Sequence, residues 1–391
     1  MNVLVLHFTH PEGYPPTLNA INCISCKVDK LIVLSNDTLP TKNKYDKNVE
    51  LILLKGNHDK FEYEHRSKFD KLKTYLTYTY KIFKILKNER IDLLIIYDDV
   101  PFFFYMIASF FLKKKYKLWY HNHDVYPLSS FKKYKINWLG SASVQKYFSE
   151  IDYFSLPAVE RKKMFPLDGF KGKFFYIPNY PSKRLISSPT ASDFKIDENY
   201  LKLIYPGNPS HKNGFEELVD VMDAKINGKT ITLTIVGDAH SNYQKELTAY
   251  AKSKGVEKQL FFVKRIPYIE MTHFLKNYHI GWALYKPVDL SVATAGSSSN
   301  KIYEFLANGL PIIVYDNEHH KTHLHNCKAA FYSDLSKSSI LEQLQHIDKN
   351  LHQLSKLAQL EFETNYQFEI KFNEAFDEIL KDIHTTNITS N

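Results

Sequence analysis

The stretch GSSSNKIYEFLANGLPIIV, Gly296 to Val314, decides the fold. Small polar residues lead into a segment in which Ile302, Phe305 and Leu306 share one helical face. Gly309 fits the position just past a helix end, and Pro311 blocks continuation. The β-branched run PIIV then reads as a buried strand. Ser298, Ser299 or Asn300 can cap the helix. Its open N–H groups, with flanking serines and Lys301, make an anion site. Glu304 lies one turn in, too far along for a capping box. A carboxylate there can accept two hydroxyl hydrogen bonds, as from a ribose, or sit on the surface and complement the helix dipole.

Helix followed by apolar strand is the rhythm of the whole chain. NVLVLH, LIVLS, VELILL, DLLIIY, KLWYH, DYFSL and KFFYIP are strands in the first half, with helices over about 63–88, 101–113, 138–149 and 158–164. LKLIYPG, ITLTIVG, LFFV, HIGWALY and PIIV are strands in the second, with helices at FEELVDVMDAK, 243–253, IEMTHFLKN, 337–363 and 366–384. Near-continuous apolar strands separated by helices make parallel sheets covered on both faces. Residues 179–197, rich in Ser, Pro and Thr, break the rhythm and read as a linker. The expected architecture is α/β: two Rossmann-like, doubly wound domains over 1–180 and 200–365, joined by a linker at 181–199. A helix and tail at 366–391 are expected to pack back toward the first domain. Ligands of such sheets sit at the carboxyl ends of the strands, so the cleft between the domains is the expected site.

With 391 residues and 44% hydrophobic residues, two cores are affordable. The net charge of +8 is unevenly spread: residues 1–184 carry +12 and the remainder −4. A basic half joined to an acidic one points the first half at something anionic, either nucleic acid or an anionic membrane surface, or else marks a lysine-rich solvated face. Cys23, Cys26 and Cys327 form no disulfide framework, and Cys23 and Cys26 read as buried thiols on one helix face. MNVLVLHFTH lacks the basic start of a signal peptide, and the apolar run Val100–Leu112 is shorter than the ~20 residues of a membrane span. A cytoplasmic protein is expected. Because KKKYKLWY follows the run at once, its end suits contact with the inner face of a membrane.

SSSNKIYEFLANGLPIIV resembles the signature helix of family-four retaining glycosyltransferases (glycosyl transferases group 1), which have the two-domain GT-B fold. Glu304 matches the Glu that contacts the ribose of the sugar nucleotide. LIYPGNPSHKNGFEELVDV resembles the first strand, loop and helix of the nucleotide domain, where Gly207 approaches the donor and Lys212 contacts the diphosphate. FFYIPNYP resembles the strand leaving the first domain, LTIVGDA the second strand, and LFFVKRIPYIEMTHFLKNYHIGWALY the region that holds the base, which implies Arg265 and Ile266. The likeness runs over roughly 174–315. The resemblance also implies donor contacts from Asn208, Ser298, Ser299, Asn300 and Lys301. Two departures stand out. The first Glu of the family's E-x7-E pair falls at Gly296, and the Arg that often precedes the Lys is replaced by Asn208 and His211, with Arg265 as a candidate second cation.

In the first domain WYHNHDVYP ends a strand at its carboxyl edge and presents His121, His123 and Asp124. The resemblance implies a His near the donor sugar and acceptor; His123 is favoured, with Asp124 and His121 as acceptor contacts. A strand-end His and a helix-capping Asp are the alternative. HFTHPEGYPP loosely resembles the flexible acceptor-side loop, with Gly13 in place of a Gly pair. His319 and His323 have metal-ligand spacing, but a polar loop is the better reading of DNEHHKTHLHN. YDD at Tyr97–Asp99 is not the D-x-D of metal-dependent transferases. The resemblance thus implies retaining transfer of a sugar, of hexosyltransferase type, from a nucleotide-sugar to an acceptor hydroxyl. It implies no metal, no further cofactor and no nucleic acid. His123, Lys212 and Glu304 carry the chemistry. A lipid-linked or surface-polysaccharide glycan at an anionic membrane would suit the basic half. A nucleotide-sugar epimerase of GT-B fold and a non-catalytic GT-B partner are the rival readings. Neither domain opens with G-x-G-x-x-G, which argues against a nicotinamide enzyme.

Overall fold

The structure is a computed structural model that describes residues 1–54, 66–184, 186, 197–237 and 242–389. The chain divides into two compact units, Met1–Pro178 with Phe368–Asn391, and Asn179–Gln367. The start of the expected helix at 63, most of the 181–199 linker, Asp238 and Ala239, and the last two residues lie outside the described residues.

The first unit is built on strands β1 (Asn2–Leu6), β2 (Lys30–Asn36), β3 (Val49–Leu54), β4 (Leu93–Tyr97), β5 (Lys117–His121), β6 (Tyr153–Leu156) and β7 (Lys173–Tyr176). All pair in parallel, in the order β3-β2-β1-β4-β5-β6-β7. Val3–Leu6 and Leu93–Ile96 are wholly buried because helices cover both faces of these central strands. The chain winds outward from β1 to β3, then returns to the other side of β1 as β4. That reversal opens a crevice beyond the ends of β1 and β4. The late helix Phe368–Thr389 completes this unit. Its Phe372 and Phe376 stack on Trp119 of β5, with ring centroids 5.6 and 6.3 Å away, and Asp377 pairs with Lys27 at 2.6 Å.

The second unit holds β8 (Tyr200–Pro206), β9 (Lys225–Ile226), β10 (Lys229–Gly237), β11 (Leu260–Lys264), β12 (Ile280–Ala283), β13 (Ile312–Tyr315) and β14 (Ala330–Ser333). The sheet order is β11-β10-β8-β12-β13-β14, parallel throughout, with β9 antiparallel to β10. Its reversal falls between β8 and β12.

Several elements differ from the sequence reading. The helix expected at 101–113 is Asp99–Ser109: beyond it Phe110 and Phe111 are exposed, and Leu112 N–H closes a turn on Ser109 O at 2.8 Å. FEELVDVMDAK is helical only over Phe215–Val219 before turns take over. The expected helix 337–363 is two helices, Lys337–Lys349 and Leu351–Asn365, broken at Asn350. The polar loop expected after β13 is the helix Glu318–Leu324, started by Asn317 accepting from His320 N–H. Of the thiols read as buried, Cys23 is and Cys26, just past the end of helix Pro15–Ser25, is exposed.

Candidate functional site

The second unit places its site at the sheet reversal. Gly207 directly follows β8 at φ 147°, where a side chain would be strained, and an added Cβ would lie 2.8 Å from Lys301 Cε. Only a glycine lets this loop pass over Lys301. Gly237, ending β10, meets the same loop closely, with its missing Cβ 2.6 Å from Gly207 O and 3.2 Å from Asn208 Oδ1. The loop then runs through Ser210 and Asn213, which cap each other across one turn, to Lys212. Lys212 Nζ reaches Asp289 Oδ2 at 2.5 Å, and its carbonyl accepts from Lys286 N–H at 2.8 Å, which ties the loop to the segment after β12.

The signature helix is Asn300–Ala307. Ser299 stands at its cap position, but its hydroxyl faces Tyr285 OH at 3.3 Å and makes no cap bond. Ser298 donates to Thr294 O at 2.8 Å, ending the short preceding helix Ala295–Ser298. The expected serine cap is therefore corrected: both hydroxyls are spent elsewhere, and the helix N–H groups remain without a side-chain cap. Asn300 Oδ1 is buried with no hydrogen-bond partner among the described residues.

Lys301 lies between two tyrosine rings, 5.4 Å from the Tyr205 centroid and 5.8 Å from that of Tyr285. Burial opposes its charge, but Tyr285, Tyr205 and Glu304 outweigh burial and hold its proton above the ordinary lysine range. Glu304 is not a surface acid: it is 8% exposed. Burial pushes its carboxyl up to about 7, against the opposing pull of Lys301 and a hydrogen bond from Tyr268. Arg265 and Ile266 form the turn between β11 and the helix Tyr268–Leu275, with Arg265 exposed. Tyr268 thus joins that turn to Glu304, a link with no signal in the spacing of the sequence.

Gly296 carries no acid for a steric reason. A Cβ there would lie 2.7 Å from His319 Nδ1 and 3.2 Å from His320 Cα, and its carbonyl is taken by the Tyr303 hydroxyl. The helix bearing His319 and His323, whose rings stand 4.3 Å apart, fills the space where the first Glu of the pair would project.

The first unit gathers a separate polar cluster beyond β1, β4 and β5. Register pairs Tyr97 with His121, which brings Asp98 against the residues that follow β5. Asp98 Oδ1 accepts from His123 N–H at 2.9 Å, and both its oxygens lie 3.3 Å from His123 Nδ1. Its backbone has φ 68°, a conformation that non-glycine residues hold only when their surroundings enforce it. Burial alone would raise the Asp98 carboxyl; His123, with a smaller share from His7 at 3.9 Å, overrules it and holds the value at about 2. His123 is fully buried, stacked on Tyr97 at 5.1 Å and packed on Tyr14 at 4.5 Å, and its Nε2 has no hydrogen-bond partner among the described residues. Arg161 Nη1 donates to His123 O at 2.6 Å and fixes the loop.

His121 is buried with Nδ1 2.7 Å from Ser155 Oγ, and burial depresses its ring well below the usual histidine range. His7 is depressed to about 4 by burial. Asp124, exposed, accepts from Tyr14 OH at 2.5 Å and caps no helix. Gly13 ends the 3-10 turn Pro11–Gly13, one residue before Tyr14. The cluster joins His123, which the sequence singles out, to Asp98, His7 and Tyr14, which it does not. Taken alone, YDD is only a near-miss of a metal motif; the parallel pairing of DLLIIY with KLWYH is the signal that sets Asp98 beside His123.

Residues 190–334 match the model of the glycosyl transferases group 1 family. Among solved structures the chain is similar to sucrose-phosphate synthase from Thermosynechococcus elongatus, with TM-score 0.67, 10% identity, and coverage of 98% of this chain and 100% of that one. HepE of Anabaena in complex with UDP and glucose gives TM-score 0.64, 14% identity, 98% and 100%. WaaG, a glycosyltransferase involved in lipopolysaccharide biosynthesis, gives 0.64, 12%, 97% and 99%. Among curated proteins none matches. The structural likeness carries the fold, which is GT-B over the chain; the family match carries the class, and the protein is a glycosyltransferase. Its segment 190–334 is a glycosyl transferases group 1 domain, as the resemblance in Gly296–Val314 implied.

Proposed function

We propose that this glycosyltransferase takes a nucleotide-sugar donor in its second unit. It passes the sugar, with retention and without a metal, to a hydroxyl of a lipid-linked or surface-polysaccharide glycan at an anionic membrane. The observation that carries the reading is the half-buried Lys301 beneath the Gly207 loop with the buried Glu304 one turn on, inside the segment that matches the family. A departing nucleoside diphosphate gains negative charge. Lys301, Lys212, Arg265 and the uncapped helix N–H groups offset it, and Glu304 accepts from the ribose. Gly207 and Asn208 line the approach, and Ile266 lies against the base. His123, Asp124, His121 and the Gly13 turn serve the acceptor side. Retention follows from the resemblance: the departing phosphate deprotonates the acceptor on the face it leaves.

A second reading has one observation in its favour. A histidine held by a carboxylate, with its far nitrogen unpartnered, is the arrangement of a general base, which would invert the anomeric centre. The anomeric configuration of the product, read by NMR, decides between them.

Calorimetry with UDP, GDP, ADP and CMP, with NAD as control, tests the donor. UDP is the first choice because HepE has been solved with it. Selective binding of one diphosphate, weakened by Glu304→Ala, is expected. No binding by the folded protein overturns the reading in favour of a non-catalytic partner. Transfer that persists in EDTA is expected of a metal-free reaction, and its loss overturns that part.

A further inference from the structure

A groove of about 440 Å³ opens on the first unit between the helices Asp99–Ser109 and Ile136–Tyr147. Phe103, Met106 and Ile107 line it from one helix, and Leu139, Ala142 and Tyr147 from the other. Phe110 and Phe111 stand at one end, 77% and 86% exposed, with rings edge to face at 4.9 Å. Scattered apolar side chains on a surface need no account, but a contiguous lining with two adjacent bare phenylalanines does.

Charge around the groove says what covers it. Lys146 is part of the lining, exposed, with Nζ 4.9 Å from the Tyr147 ring centroid. The chain passes from Phe111 into three lysines. Lys114 is held by Asp152 at 2.7 Å, whereas Lys113 and Lys115 are exposed with no ion pair among the described residues. Residues 101–150 hold eight lysines and two acids. An apolar slot edged by cations matches a lipid with an anionic head. Its volume suits a slender chain rather than a helix ~10 Å across. No described helix is long and apolar enough to cross a membrane, so any insertion here is shallow.

We infer that this groove is a lipid-chain site. With the unit on an anionic bilayer, one alkyl chain of a lipid lies along the groove, Phe110 and Phe111 enter the hydrocarbon, and Lys113, Lys115 and Lys146 meet lipid phosphates. The inference rests on the membrane-side acceptor proposed above. Donor binding in solution does not depend on it.

The test uses the full chain with Phe111→Trp. It is mixed with phosphatidylglycerol vesicles whose acyl chains carry bromine, and with phosphatidylcholine vesicles as neutral control. The expected result is a blue shift and quenching of the introduced indole on the anionic vesicles only. Phe110→Ser with Phe111→Ser should lower vesicle affinity about tenfold or more. Ala142→Phe, which fills the groove, should lower it with an unchanged melting temperature. If vesicles bind, the indole stays unquenched and the variants match the parent, the lipid-chain site is overturned and docking through lysines alone stands. Equal binding to neutral vesicles overturns the role of the lysines. Absence of vesicle binding by the folded parent overturns the membrane reading as well.

Discussion

Asp98 holds His123 by two handles, the backbone N–H at 2.9 Å and the ring Nδ1 at 3.3 Å, while its own backbone sits at φ 68°. The ring is thereby oriented with Nε2 as its working atom. Asp98→Asn preserves the shape, and Asn tolerates positive φ, but it removes the negative charge beside the ring. We expect transfer to fall about 100-fold with a displaced pH–rate profile, and nucleotide affinity to stay at the parental value. Steady-state kinetics over pH, beside calorimetry, checks this; parental kcat at every pH would sink it.

Glu304 sets a conflict between binding and stability. Its carboxyl keeps its proton up to about pH 7 in the folded chain, against 4.5 for an ordinary glutamate. Between these values the folded state binds more protons than the unfolded one. Stability from this group is therefore full below 4.5 and falls as pH rises through 7, by about 3 kcal/mol. Glu304→Gln should raise the melting temperature at pH 8, leave it unchanged near pH 4, and weaken nucleotide binding at pH 8. Parental nucleotide affinity should grow from pH 6 to pH 8 as the carboxylate forms. Thermal melts and titrations at these pH values decide the matter.

Restoring the family's first acid should harm the fold. Gly296→Ala already drives Cβ into His319 and His320, and Gly296→Glu more so. A loss of about 1–3 kcal/mol is expected for the alanine variant, seen as a lower denaturant midpoint. A parental midpoint would show that the Glu318–Leu324 helix yields.

Lys212 should matter to turnover and little to folding. It is 45% exposed and its partner Asp289 40%, so their pairing is screened. Lys212→Ala is expected to move the melting temperature by no more than a degree or two, while donor affinity and transfer drop at least tenfold. Calorimetry and a melt on the same sample separate the two effects. Asp289→Ala should cost about 1 kcal/mol, because Asp289 also accepts from Val292 N–H at the start of a helix.

What the sequence disclosed depended on the range of the cause. KLWYH and DLLIIY read as buried strands because burial on both faces leaves a local apolar run. The signature helix read well because Gly309 and Pro311 stop it locally. Glu318–Leu324 did not, since its five histidine, lysine and glutamate residues give no apolar period and only His320 and Leu324 are buried. Strand Ala330–Ser333 is four residues long and exists through its pairing with β13. The burial of Glu304 and the grip of Asp98 on His123 arise from tertiary contacts across many residues, and no local pattern announces either.

The helix Phe368–Thr389 belongs to the unit that the first residues begin, yet it is translated after the whole second unit. On the ribosome, Trp119 therefore waits bare for Phe372 and Phe376 through the synthesis of about 250 residues. The second unit can reach its final state first, and the earlier half becomes complete last. Vectorial synthesis makes the basic, lysine-rich half the late folder, and its uncovered sheet face is what chaperones would meet in the interval.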